Sequence, residues 1–245
     1  MGIRKEIKKA GLNNDFNDLL KYKNKYAERF YKEIRLQKTH SDKLIGNNGI
    51  HFILKSLNRS RYLYSGFFSS LEIKNPALSF LSTRAHFEVT GSISYFLWNL
   101  KKYYKHEINV DEINNIIGIL LLGGKTFPDK FKYPHRPDSL NILTQIDIAD
   151  KILNEIIEGK EKIKYFRETY DFLSESCHPN FLGLIIGQEE CKNGIISFKD
   201  DIRFSDKDLP ELIPDMISSC ELFFSVYDEC FTTINKNEIL PDLIK

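Results

Sequence analysis

Residues 75–104, NPALSFLSTRAHFEVTGSISYFLWNLKKYY, constrain the fold more than any other stretch. Asn75 is placed to cap a helix, and Pro76 suits the first helical position, where its fixed φ helps and its missing N–H is not needed. From Pro76 onward the spacing predicts a long helix that is apolar around most of its circumference. Such a helix is not stable in water alone and demands neighbours on several sides. The chain supplies them. Residues 15–36 place Phe16, Leu19, Leu20, Tyr26, Phe30 and Ile34 at three- and four-residue steps, the period of one helix face. Residues 41–73 continue helically, with Ser41 as a cap and Gly46-Asn47-Asn48-Gly49 as a kink or break. Residues 109–124 predict a shorter helix ending on a glycine pair, and 139–157, 160–178 and 208–235 predict three more.

After Pro179 the period changes. GLIIG (183–187) and GIISFKDDIRFS (194–205) read as short strands, the latter turning at Lys199-Asp200-Asp201. The expected fold class is therefore all-α: a helical bundle with a small β-hairpin insertion near the C-terminal third, at about 183–205. No linker or repeat divides the chain. Residues 1–245 are expected to form a single helical domain, with N-terminal helices (1–73) packing on a core that spans 75–235.

Charge narrows the function classes. There are 35 Lys and Arg against 34 Asp and Glu, a net +1. An extended nucleic-acid groove needs a clear basic excess, whereas a small phosphate pocket does not. The longest apolar run, IIGILLLGG at 116–124, is too short to cross a bilayer, so no membrane partner is expected. The opening MGIRKEIKKA lacks the apolar core of a secretory signal, and Lys5 and Glu6 stand where a myristoylation motif wants Ser or Thr. The cysteines, Cys177, Cys191, Cys220 and Cys230, form no C-x-x-C pair. Free thiols in a cytoplasmic protein, with no metal and no cofactor, are the expectation.

Two polar stripes carry the candidate chemistry. In YDFLSESCHPNFLG (170–183) and the turn before it, Arg167, Tyr170, Asp171, Ser174 and His178 fall on one helix face. His178 ends that helix just before Pro179, where the macrodipole favours the imidazolium by about 0.3–1 kcal/mol. It is suited to hold a phosphate or to shuttle a proton near neutral pH. The second stripe, on 75–104, aligns Arg84, Glu88, Gly91 and Tyr95. A charged pair on an apolar helix must find partners, and Gly91 leaves room for a neighbouring helix or a ligand. Stripes that face each other would gather Arg, Glu, Tyr, Ser and His. Such a cluster serves as a structural pin, a small-ligand or phosphate site, or a catalytic site. Ser174 and His178 as nucleophile and base are disfavoured, since no G-x-S-x-G elbow exists. His86 and Glu88 do not share a face. His40, His51 and His106 lack ligand spacing, and His135 and Arg136 read as part of a solvated Pro-rich loop. Gly123-Gly124-Lys125-Thr126 lacks the earlier glycine of a phosphate loop.

RAHFE (84–88), LNILTQID (140–147) and YDFLSESCHPNFLG (170–183) together resemble a group of bacterial helical proteins. In these an R-x-x-x-E helix precedes a Y-x-x-L-S-x-x-x-H-P segment, and through them the chain resembles the HEPN superfamily over residues 75–185. That resemblance implies a helical bundle that is often dimeric. Many HEPN domains are metal-independent ribonucleases of toxin–antitoxin and antiphage systems, and others are non-catalytic scaffolds. The active HEPN motif carries an Arg a few residues before its His, whereas Asp171, Phe172, Leu173 and Ser174 occupy those places here. The resemblance thus implies either of two functions. In the first, His178 is general acid or base in RNA cleavage, Arg84 steadies the phosphate with Glu88, Tyr170 and Ser174, and Arg167 and Asn180 contact the ligand. In the second, the same residues form a structural network in a silent protein. Its partners would be a second copy, as a homodimer, or another protein such as an antitoxin or defence component.

Overall fold

The structure, a computed structural model, describes residues 3–37, 44–123, 137–157, 162–188, 195–198 and 201–245. Its central helix, α4 (Pro76–Tyr104), begins as its sequence demands, with the Asn75 side chain accepting the Leu78 N–H at 3.1 Å. The residues α4 buries include Phe80, Phe87, Ile93, Phe96, Leu97 and Leu100. Against it pack α3 (Ile50–Glu72), α5 (Val110–Leu122), α6 (Ile142–Ile157), α7 (Tyr165–Cys177) and α9 (Asp208–Asn237). Two N-terminal helices, α1 (Ile3–Lys9) and α2 (Asn13–Arg29), complete one side, with α2 lying on α9. The Tyr64 hydroxyl ties α3 to α2 by donating to the Leu19 carbonyl at 2.8 Å. A single connected apolar core runs from Ile7 to Ile234. The fold is all-α, as the periodicity predicts, and among the described residues no helix is long and apolar enough to cross a membrane.

The small β element is one antiparallel pair, β1 (Glu33–Arg35) with β2 (Asp242–Ile244), in which Ile34 faces Leu243. Beside it the Gly46–Gly49 run does not break the helical course of the chain. It is a π-helical turn, Ile45–Gly49, that leads directly into α3. Its Asn47 amide donates to the Gln37 carbonyl at 2.8 Å and accepts the Gln37 N–H at 3.1 Å, as one strand residue would with another.

The 183–205 segment differs in detail from its sequence expectation. GLIIG is not a strand, because Phe181–Leu184 forms a short helix, α8, and the chain turns through Gly187 at φ +84°. Short apolar runs do not separate strand from helix by period, and here the helical bond from the Leu184 N–H to the Asn180 carbonyl wins. An antiparallel bridge between Gln188 and Phe198 lies within the segment. Lys199, Asp200, Cys191, His40, Met1-Gly2, the glycine run from 124 and the Pro-rich loop with His135 and Arg136 lie outside the described residues.

Candidate functional site

The position of α7 is set by a carboxylate from α6. Asp150 accepts the N–H of Phe166 at 2.7 Å and of Arg167 at 3.0 Å, satisfying two of the donors that a helix start leaves open. Burial pushes the Asp150 carboxyl up, while those two N–H groups pull it down. Rings then lock α7 to α4: Phe87 meets Phe166 at 4.8 Å and Phe80 meets Phe172 at 6.1 Å between centroids. Between these contacts Tyr170 is delivered opposite Arg84 and Glu88.

There the three side chains close on one another. Arg84 Nη2 donates to the Tyr170 hydroxyl at 3.3 Å, and that hydroxyl donates to Glu88 Oε1 at 3.1 Å. Arg84 Nη2 also lies 3.3 Å from Glu88 Oε1, and its guanidinium carbon stands 5.5 Å from the Tyr170 ring centroid. Tyr170 is only 4% exposed, so the triangle is held away from bulk water on the phenol side. Arg84 Nε, and Ser174 Oγ one turn along α7 from Tyr170, are buried without a partner among the described residues. The Cys177 thiol lies near the same guanidinium; burial pushes it up and Arg84 opposes that.

The other expected members do not join. Arg167 turns outward, pairing with Asp147 at 2.9 Å and Asp171 at 3.1 Å. The α7 helix stops at Cys177 because the residue before a proline is pushed out of the helical region. His178 accordingly has φ −88° and ψ 160°. Its ring is exposed and makes no hydrogen bond or ion pair among the described residues. It leaves the stripe on which unbroken helical spacing places it. The Asn180 amide is taken by the Glu175 carboxylate at 3.0 Å to each oxygen. The structure thus brings Arg84, Glu88 and Tyr170 together, buries the Ser174 hydroxyl one turn further along α7, and leaves His178, Arg167 and Asn180 outside.

The triangle joins two charges and a phenol, so it should stiffen the α4–α7 contact. Tyr170→Phe removes both of its hydroxyl bonds while keeping the ring, and is expected to cost about 1–3 kcal/mol in denaturant unfolding. Unchanged stability in that variant would mean the hydroxyl holds nothing.

A second polar cluster, not foreseen from the sequence, lies at the centre of the molecule. His86 is fully buried on α4. Its Nδ1 lies 2.7 Å from Ser219 Oγ of α9, and its Nε2 lies 2.7 Å from Ser60 Oγ of α3 and 3.1 Å from the Tyr26 hydroxyl of α2. Tyr26 and Ser60 are themselves 2.6 Å apart, and Thr90 Oγ1 meets Ser219 Oγ at 3.0 Å. Desolvation lowers the His86 pKa to about 3. The ring is therefore neutral, and hydroxyls that donate or accept as needed satisfy both nitrogens. A signal was available: Ser79, Thr83, His86, Thr90 and Ser94 recur at helical spacing along α4, and all are buried. Cys220, also buried there, has its thiol pushed up to about 12. Among the described residues no group of three or more His, Cys, Asp or Glu is arranged to hold a metal ion.

Beyond His178 the surface turns apolar. Phe181, Leu184, Ile195, Phe198 and Ile202 are all exposed, Phe181 at 74% and Phe198 at 72%. Next to them a cavity of about 400 Å³ has Phe80, Phe172, Leu182, Ile185 and Ile186 in its walls. No family model, no curated protein and no solved structure matches this chain.

Proposed function

We propose that this chain is a catalytically silent, HEPN-like helical protein of the cytoplasm that works by binding protein. Its associate would be a second copy, as a homodimer, or an antitoxin or defence component. The observation that carries this reading is the closed triangle of Arg84, Glu88 and Tyr170. An arginine that must steady a phosphate needs free donors facing solvent, yet this one is turned to its own phenol and carboxylate, with Nε buried. The exposed side chains of Phe181, Leu184, Ile195, Phe198 and Ile202 offer apolar surface for association.

The ring of His178, exposed and without a partner among the described residues, favours the second reading, a metal-independent ribonuclease of toxin or antiphage type that uses His178 as acid or base. One experiment separates the two: incubating structured RNA with the wild-type protein and with His178→Ala, both in excess EDTA. The interaction reading predicts no cleavage by either protein. Light scattering should then show an associated wild type that Phe181→Ser with Phe198→Ser disperses. Cleavage by the wild type that His178→Ala abolishes would establish the ribonuclease and overturn silence. A monomer that captures neither itself nor a partner would remove the interaction reading.

A further inference from the structure

Helices α2 and α3 run antiparallel, since the Tyr26 hydroxyl meets Ser60 at 2.6 Å while the Leu19 carbonyl accepts the Tyr64 hydroxyl at 2.8 Å. Between them lies an open groove of about 640 Å³, within the range of small-molecule sites. Its floor is aromatic. The buried rings of Tyr26 and Tyr64 stand 5.1 Å apart, and Phe68 meets Tyr64 edge-on at 4.9 Å. Both phenol oxygens are engaged, Tyr64 with Leu19 and Tyr26 with Ser60 and His86, so the floor offers rings and no free hydroxyl. On the rim Tyr62 is 63% exposed, a large ring whose burial under a flat ligand would be favourable.

Two cations face each other across this groove. Lys23 of α2 and Arg61 of α3 both line it, and neither forms an ion pair among the described residues. Arg61 is held in place without being used up. Its guanidinium carbon stands 4.1 Å from the Phe30 ring centroid and 5.6 Å from that of Tyr62, and Nη2 donates to Asn58 Oδ1 at 3.0 Å. The remaining N–H groups can grip a carboxylate in the two-pronged manner that suits a planar guanidinium. Among the described residues the one acid in the wall is Glu72. It lies three turns beyond Arg61, about 16 Å along a helix that rises ~1.5 Å per residue. There it repels negative charge, which disfavours a ligand charged along its whole length.

We propose that this groove binds a small aromatic carboxylate, its ring system against Tyr62 and Phe68 and its carboxylate on Arg61 and Lys23. The seat shares no residue with the Arg84–Glu88–Tyr170 triangle and stands whether the protein is silent or catalytic.

Isothermal titration of the full chain with 1-naphthylacetate tests this. The comparison ligands are the neutral 1-naphthylacetamide, the cationic 1-naphthylmethylamine and the non-aromatic cyclohexylacetate. Wild type should bind naphthylacetate saturably and the other three more weakly, the amide by about tenfold. In Lys23→Gln with Arg61→Gln the affinity for naphthylacetate should fall by about tenfold or more, and in Tyr62→Ala it should also fall. Lys23 and Tyr62 are exposed, so if the Arg61 variant loses helicity, Lys23→Gln with Tyr62→Ala replaces it, with the same direction of change expected. The proposal is overturned if millimolar naphthylacetate gives no saturable binding. It is equally overturned if the amide, the amine or cyclohexylacetate binds as tightly or more so, or if folded variants bind like wild type.

Discussion

His86→Ala should destabilise the protein by about 3–5 kcal/mol, the sum of a ring-sized cavity and of hydroxyls left facing it without a partner. Those hydroxyls belong to Tyr26, Ser60 and Ser219, so the loss loosens α2, α3 and α9 from α4 together. Domains are stable by only about 5–15 kcal/mol, so the variant should show a large drop in denaturant midpoint. A drop of less than about 1 kcal/mol would mean that the network merely fills space.

The same residue governs the acid limb of stability, with a sign that can be worked out. Unfolded, His86 titrates near 6.5; folded, it stays neutral down to about 3. Below pH 6.5 only the unfolded chain takes the proton, so stability falls by about 1.4 kcal/mol per pH unit. Asp215 acts in the opposite direction. Burial pushes its carboxyl up to about 6, and Tyr165 donates to it at 2.7 Å. Between its folded value and the ordinary carboxylate range near 4, the folded state gains the proton first and stability rises on acidification. The two slopes nearly cancel over pH 6 to 4. Asp215→Asn should therefore uncover the histidine limb, seen as stability that declines steadily from pH 6.5 in chemical denaturation. A flat profile in that variant would refute a neutral, buried His86.

Gly91→Val is the second large effect, about 3 kcal/mol of overpacking. A Cβ at Gly91 would stand 3.2 Å from the Gln145 carbonyl carbon and 3.2 Å from the Ile146 nitrogen, both backbone atoms of the first turns of α6. Ser92 then donates to Gln145 Oε1 at 2.6 Å, so α6 is seated on this spot. Gly91→Ala asks the backbone to give by only a few tenths of an ångström and regains about 1 kcal/mol of helix propensity, so it should stay near wild type. Equal stability in the valine variant would show that α4 and α6 slide apart freely.

Much of this architecture is legible in the residues. Asn75-Pro76 marks the start of α4, and the 3.6 period marks α2, α3, α6, α7 and α9. Gly91 announces a close approach, though only the structure says that α6 makes it. The facing of Arg84 and Glu88 with Tyr170 also accords with face arithmetic, because all three sit well inside their helices. His178 departs from that arithmetic for a local reason: equal spacing assumes helical geometry, and Pro179 ends that geometry at Cys177. The row of Ser79, Thr83, His86, Thr90 and Ser94 signals a polar seam on α4, but what that seam meets is non-local. Its partners lie on α2, α3 and α9, and no spacing within α4 could reveal hydroxyls so distant along the chain. The β1–β2 pair is invisible for the same reason, its strands being short and far apart in sequence.

The polar core has a consequence for how the chain is made. Synthesis delivers α3 and α4 well before α9, so the face of α4 that α9 will cover waits in water. At its centre that face presents His86 and Thr90, whose ring nitrogens and hydroxyl bond to solvent as readily as they later bond to Ser219. A leucine seam there would pack more simply, but it would also be adhesive for as long as the ribosome was still at work. The buried imidazole thus leaves the waiting face of α4 less apolar than a leucine would, until the last long helix arrives.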